Sequence, residues 1–406
     1  MSGMKITRLE ISGFKSLKNV VWEPGNLNVL IGPNGSGKSN LLALLSLVSL
    51  SAQKRLWETV RQLGGFRPLL WNESAKAIQV KIQAFGDDLP CTNGHAKYLY
   101  YFDIESEDGN YRIIREKLEY IDHFFSKLTK TEKSFLLFNK YPHNEALMEK
   151  DEKEKGTPKI LRLPEGEIDP LECLLPIFAK AVKIHPNLYY FAKQLEKWSV
   201  YHDVNFGGGS PIRQPAVTRE ERIVDDQASN LISVLHTLYL SDDAFRESID
   251  NAMIAAFGDE YVSLDFPLTH QKRSLVVRWK SIKQQQSIYD LSDGTLKFLF
   301  LLTVLANPKP GPLVAIDEPE LGLHPSMLSI IAEYAIEASA RTQVVFTTHS
   351  PQFLDAFTHT QPTTSVFGWG NGATTIKNLP KDDLDYWLKD YSLGSLFSSG
   401  ELEQMD

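Results

Sequence analysis

The segment Gly32, Pro33, Asn34, Gly35, Ser36, Gly37, Lys38, Ser39 constrains this chain more than any other, because it separates two apolar runs of different texture. Before it stands the short run LNVLI (27–31), of strand length. After it, from Asn40, comes LLALLSLVSL, of helical length. The loop fits G-x-x-x-x-G-K-[ST]. Glycines let the backbone curl until successive amide N–H groups face one point, and the start of the following helix adds the positive end of its dipole. A polyphosphate suits such a point. Gly32, Asn34, Gly35, Ser36, Gly37, Lys38, Ser39 and Asn40 are therefore candidate ligands, with Lys38 meeting the β/γ charge and the Ser39 hydroxyl meeting Mg²⁺.

Two carboxylates supply the second half of such a chemistry. The apolar stretch 313–316 (LVAI) ends abruptly in Asp317 and Glu318, as a buried strand does when its last residues reach an edge. Beside a phosphate loop, Asp317 would hold Mg²⁺ through water, and Glu318 would polarise a water in line with the γ-phosphate. Ser292, Asp293 and Gly294 precede an apolar run from Leu296, which predicts a helix N-terminus with free amides and a serine hydroxyl turned to a phosphate; simple capping by the serine is the competing reading. His349, after QVVFTT, would reach a γ-phosphate from a strand end.

Around these motifs the chain predicts an α/β protein. KITRLEISGF and LNVLI read as two strands, followed by one long helix that Gly64 and Gly65 stop. AIQVKIQAF, KYLYYFDIE and YRIIREKLEYI read as an antiparallel meander. From about 121 to 285 the texture changes to helical patterns, with a charged run at 149–155, a linker-like stretch at 156–170 and a glycine-rich tract at 205–215. The last third alternates helix, strand, helix, strand. The expected division is 1–120 and 286–406 as two parts of one head, with 121–285 inserted between them as a helical subdomain.

Composition narrows the function classes. Hydrophobic residues make up 42% of 406 residues, enough for a large core, so overall disorder is excluded. A net charge of −8 argues against nonspecific DNA binding by the surface as a whole. No apolar run reaches the roughly 18–20 residues that span a bilayer, and the start does not read as a secretory leader, so the expected location is cytoplasmic. Cys91 and Cys173, far apart, support neither a disulfide framework nor a cysteine metal site.

Taken in order, phosphate loop, Ser-Asp-Gly helix, Asp-Glu strand and His strand, the chain resembles the ABC-type P-loop ATPase heads of the RecF, SMC and OLD group. It is most similar to the stand-alone RecF-like AAA family ATPases of that group. Phe14 to Asn19, Leu291 to Thr295 and Glu318 to Pro325 carry the likeness, which covers about 1–75 and 286–360 and touches the middle only at 229–235. The resemblance implies a head-to-tail homodimer sandwiching two ATP molecules. Lys38 and Ser39 of one copy would face Ser292 and Gly294 of the other, with Glu318 as general base, His349 as γ-phosphate sensor, Lys15 as a further nucleotide contact and 321–324 as a trans-contacting loop.

Departures from the relatives shape the functional expectation. Asp293 stands where transporters carry a glycine, long heptad arms are missing, and the 46 residues after Thr360 are too few for a TOPRIM nuclease domain. The expected role is an ATP-driven switch acting on a separately encoded, nuclease-like effector in antiphage defence or genome maintenance. The alternative is a RecF-like clamp on double-stranded DNA, for which Lys272, Arg273, Arg278 and Lys280 around Trp279 are the candidate contacts. The glutamine that usually follows the first helix is either Gln62 or Gln79. Tyr386, Trp387, Leu388 and Leu396 would dock a partner or pack on their own head.

Overall fold

A computed structural model of the chain describes residues 3–87, 95–122, 134–140, 146–147, 169, 171–178, 186–217, 219–269 and 271–404. Cys91 and the charged run at 149–155 lie outside these residues. The chain divides into two compact units: Met1–Gly25, Gly32–Trp198 and Ser365–Asn378 form the first, and Asn26–Ile31, Ser199–Thr364 and Leu379–Asp406 the second.

The first unit is built on an antiparallel sheet, because its strands alternate apolar and polar residues. β1 (Lys5–Phe14), β2 (Leu17–Trp22), β4 (Ala77–Asp87), β5 (His95–Glu107), β6 (Asn110–Asp122), β7 (Ser134–Lys140) and β8 (Ala146–Leu147) pair in the order β2-β1-β4-β5-β6-β7-β8. Register sets one buried face: Val80 lies opposite Phe102 and Ile82 opposite Tyr100, and all four are buried. The expected meander is present, and β2 adds a strand to the two expected before the glycine loop. The expected long helix is two, α1 (Lys38–Ala52) and α2 (Leu56–Gln62), because the backbone at Lys54 turns left-handed with φ 62°. Leu41, Leu42, Leu44, Leu45, Leu47 and Val48 bury most of α1, whose Ser49 hydroxyl donates to the carbonyls of Leu195 and Trp198 after α3 (Pro186–Glu196). β18 (Thr363–Gly370) and β19 (Ala373–Asn378) add a hairpin whose paired residues belong to this unit.

The second unit rests on a parallel sheet of opposite texture. β3 (Leu27–Ile31), β9 (Ser199–Tyr201), β16 (Leu313–Ile316) and β17 (Gln343–Thr347) are buried along their whole length, as strands covered on both faces must be. β16 runs parallel to β9 and β17, and β17 runs parallel to β3, with Ile316 opposite Phe346 and Tyr201, and Thr347 opposite Leu30. Their C-terminal ends therefore share one sheet edge, and the glycine loop begins where β3 ends.

Between β9 and β16 the chain inserts the helix pair α4 (Leu231–Ser241) and α5 (Asp243–Phe257) with two small antiparallel sheets. One is β10 (Ala216–Val217), β12 (Leu268–Thr269) and β13 (Lys272–Arg273); the other is β11 (Tyr261–Asp265), β14 (Val276–Trp279) and β15 (Gln286–Ser287). Then follow α6 (Asp293–Leu305), α7 (Pro325–Ser339) and the short α8 (Pro351–Asp355). α6 buries Leu296, Phe298, Leu299, Phe300, Leu301 and Leu302, nearly its whole circumference, which marks it as an interior helix. Among the described residues no helix is long and apolar enough to cross a membrane.

Candidate nucleotide site

In the first unit the glycine loop has the backbone that a phosphate cradle requires. Gly32, Gly35 and Gly37 hold φ at 137°, 77° and 105°, all in the region that favours glycine. A Cβ on Gly37 would overlap Thr374 Oγ1 and lie 2.7 Å from Ser16 Oγ, whereas one on Gly35 would meet nothing within 4 Å. One side of the loop is thus clamped and the other open. The clamp is a chain of polar contacts. Asn40 Nδ2 donates to Ser16 Oγ at 2.7 Å, the Ser16 and Thr374 hydroxyls lie 2.7 Å apart, and Thr374 Oγ1 donates to the Ser36 carbonyl at 2.7 Å.

The groups offered to a ligand follow. The Lys38 ammonium, 5% exposed as a residue, donates to the carbonyls of Gly32 at 2.8 Å and Pro33 at 3.0 Å, so it already spans the loop. Ser39 is exposed, and Ser36 Oγ is buried with no hydrogen-bond partner among the described residues. Gly37 caps α1 without a side-chain acceptor, and no acidic residue sits in its first turn. An orphaned hydroxyl, an open Gly35 and an uncapped helix start fit the phosphates of ATP. Lys15 lies at the β1–β2 turn with φ 45°, its ammonium 5.8 Å from the Phe14 ring centroid.

In the second unit the ends of β16 and β17 are tied by side chains. Asp317 N donates to the Tyr201 carbonyl at 2.9 Å, and the Thr347 hydroxyl donates to Asp317 Oδ1. Thr347 Oγ1 also accepts from Glu318 N at 2.9 Å. Glu318 has φ 43°, a left-handed backbone that costs a non-glycine residue roughly 1–2 kcal/mol. Its Oε1 lies 3.6 Å from His349 Nε2, both side chains being about 30% exposed. Glu320 Oε1 accepts from Thr348 Oγ1 at 2.7 Å and from His349 N at 3.0 Å, which fixes the loop carrying the histidine. A cavity of about 330 Å³ opens beside the carboxylates, lined in part by His202, Asp203, Phe206 and Lys297, polar and roomy enough for water.

The helix after Ser292 reaches the same turn. Ser292 caps α6, its Oγ accepting from Thr295 N at 3.1 Å, so the capping geometry is real and the remaining first-turn amides stay available. A Cβ on Gly294 would stand 2.5 Å from the Gly322 carbonyl, so only glycine permits this approach. From α6, Lys297 Nζ donates to the carbonyls of Glu318 at 2.9 Å and Leu321 at 3.0 Å. Burial pushes its ammonium below the ordinary lysine value, partly offset by Glu320, Glu318 and Asp317. His324, within the expected trans-contacting loop, caps α7 by accepting from Ser326 N at 3.3 Å.

Other expected contacts are already engaged within the fold. Arg278 pairs with Asp265, Arg273 Nη1 donates to the Phe266 carbonyl at 3.1 Å, and Trp279 Nε1 donates to Gln286 at 2.7 Å. Gln62 Nε2 donates to Glu58 at 3.3 Å on the surface of α2, while Gln79 sits on β4. No group of three or more His, Cys, Asp or Glu that would hold a metal alone occurs among the described residues.

Motif scanning missed Ser16, Thr374, Thr347, Glu320 and Lys297, which position the motif residues. Of these, Ser16, inside the Phe14 to Asn19 match, and Glu320, inside the Glu318 to Pro325 match, carried a local signal.

These features define a mixed α/β P-loop ATPase head of the ABC and SMC type, with a core sheet and an inserted helical subdomain. The chain belongs to the family described as "AAA domain, putative AbiEii toxin, Type IV TA system", whose model matches residues 27–355. In fold it is similar to a SmcHead bound to the C-winged helix domain of ScpA, with TM-score 0.53, 15% identity, and coverage of 93% of this chain and 99% of that one. It is also similar to an Smc head domain with an extended coiled coil, bound to the C-terminal domain of ScpA, from Pyrococcus furiosus. That match has TM-score 0.50 and 15% identity, and covers 95% of this chain and 99% of that one. No functionally curated protein matches the chain.

Proposed function

We propose that this protein is an ATP-hydrolysing switch: ATP and Mg²⁺ close two copies head to tail, hydrolysis opens them, and the cycle governs a separately encoded effector. The observation that carries this reading is the Asp317–Glu318 turn. A strained backbone at Glu318, held by Thr347 and facing His349, costs stability that a plain strand end has no reason to spend.

Each residue then has a physical task. The loop amides and Lys38 neutralise the phosphates, Lys38 exchanging its Gly32 and Pro33 carbonyl contacts for phosphate oxygens. Mg²⁺ would be held by Ser39 and Asp317 and would supply compensation for the phosphate charge. Glu318 accepts the proton of the attacking water, and His349 orients the carboxylate and contacts the γ-phosphate. Ser292 and the first-turn amides of α6, with Gly294, serve the nucleotide of the second copy, while Asp293 lies beside them. Lys15 is a further contact at the loop. The two solved SMC heads each carry a ScpA domain, which supports seeking a protein partner, and a nuclease-like effector in antiphage defence or genome maintenance is the expected kind.

The test is turnover and assembly of the purified protein in ATP and Mg²⁺. Lys38→Ala should lose nucleotide binding. Glu318→Gln should bind ATP, accumulate as a dimer and hydrolyse it about 10²–10⁴-fold more slowly. Unchanged turnover in Glu318→Gln removes that residue as the base. Affinity capture with tagged Glu318→Gln identifies the effector; duplex DNA without a protein partner returns the RecF-like clamp.

A further inference from the structure

We infer that Arg213, from the glycine-rich tract between β9 and β10, is a positioning residue that cancels the charge of Asp293 so that the α6 N-terminus accepts a phosphate. The inference rests on the head-to-tail reading proposed above.

Asp293 poses an electrostatic problem at that helix end. A carboxylate in the first turn stabilises the helix through its dipole, yet it occupies the same positive end that a triphosphate would use. Left alone, it would repel the ligand from a few ångströms away. Arg213 answers this from inside the unit. Its side chain is 4% exposed, and its Nη2 donates to Asp293 Oδ1 at 2.6 Å while the carboxylate side chain stays 67% exposed. The pair sums to zero charge beside the Ser292 hydroxyl.

The rest of the guanidinium fixes the approach to Ser292. Nη1 donates to the carbonyls of Ile288 at 2.6 Å and Leu291 at 2.9 Å, with Tyr289 at 3.4 Å, and Nε donates to the Phe206 carbonyl at 2.8 Å. Phe206 lines the cavity beside Asp317 and Glu318 and packs on Phe300 of α6 with ring centroids 5.5 Å apart. One buried cation thus joins the wall of the carboxylate cavity to the motif expected to face the second copy. Lysine, with three donors on one nitrogen, lacks the fork for these separate acceptors.

The experiment separates charge cancellation from scaffolding. In the Glu318→Gln background, ATP-dependent dimerisation is followed by analytical ultracentrifugation and nucleotide affinity by calorimetry. Arg213→Gln should raise the dimer dissociation constant about tenfold or more, leaving ATP affinity of the Lys38 loop within about twofold. Adding Asp293→Asn to Arg213→Gln should recover most of that loss, because the repelling charge is gone. A double variant no better than Arg213→Gln, or a parallel fall in ATP affinity, overturns the inference. If Arg213→Gln does not fold, Asp293→Asn alone serves: it leaves the Arg213 cation uncancelled beside Ser292 and should tighten the ATP-dependent dimer, and an unchanged or weakened dimer overturns the inference. A parent that binds ATP and never dimerises sinks the head-to-tail reading; a dimerising parent indifferent to Arg213 sinks only this inference.

Discussion

The two units carry their candidate residues by different means. In the first unit the candidate groups are backbone amides, and the sequence invests in glycines at positive φ and an uncapped helix start. In the second they are side chains at the ends of buried parallel strands, held by hydroxyls and carboxylates from neighbouring elements. The difference teaches where damage should register. Backbone faults in the loop should appear as lost affinity, and faults in the strand-end web as lost turnover with affinity kept.

The harshest test of that division is Gly37→Ala. The substitution asks an alanine to hold φ 105° and drives its Cβ into the Thr374 and Ser16 hydroxyls. ATP affinity should fall by about two orders of magnitude or more, since strain of a few kcal/mol converts at ~1.4 kcal/mol per tenfold. Retained affinity, measured by calorimetry, would show that the loop relaxes and that its backbone is not the rigid half.

Thr347→Val is the counterpart in the second unit. Valine keeps the shape of this fully buried residue and removes the oxygen shared by Asp317 and the Glu318 amide. Leaving those groups unpartnered costs about 1–3 kcal/mol, so turnover should fall about tenfold to a hundredfold with ATP affinity nearly unchanged. Lost affinity with unchanged turnover would reverse the assignment of roles.

The glycine loop, the carboxylates after β16 and the serine before α6 were all legible, because each is a local pattern that a strand–loop–helix or strand-end context interprets. β16 announced itself by unbroken apolar texture, and β17 by the apolar run 344–346 at its centre. The clamp was not legible: Thr374 and Ser16 meet across 358 positions, and Arg213 and Asp293 across 80. A single threonine or arginine has no period and no spacing, so only the tertiary fold gives it a task. The break between α1 and α2 escaped for a related reason, since the left-handed turn at Lys54 is made by a residue with no preference for it.

Thr374→Val probes that illegible part directly. Thr374 is 3% exposed, and its hydroxyl donates to the Ser36 carbonyl at the centre of the loop. Removing a neutral hydrogen bond of net worth about 0.5–1.5 kcal/mol should weaken ATP binding roughly twofold to tenfold. Turnover at saturating ATP should barely change. A large fall in saturated turnover would mean that the hairpin β18–β19 acts on the chemistry as well as on the cradle.

The smallest effects concern pH, and they separate the units by range. Glu10 of β1 is held below its ordinary value of 4.5, first by the Arg8 hydrogen bond and then by Lys81. Its contribution is complete above 4.5 and is lost as pH falls through the depressed value, because the unfolded chain then binds the proton first. As a partly exposed pair it is worth at most about 1 kcal/mol. Lys297 in α6 has the opposite chemistry: burial lowers it from 10.5, so the folded state disfavours the ammonium. Between the lowered value and 10.5 the unfolded chain holds more protons, and stability rises with pH there too. Denaturation of wild type against Glu10→Gln should therefore show a pH-dependent gap only in acid, and against Lys297→Met only in alkali. A gap for Lys297→Met that stays flat across the alkaline range would place that ammonium in a solvated setting and remove the buried tie between α6 and the Glu318 turn.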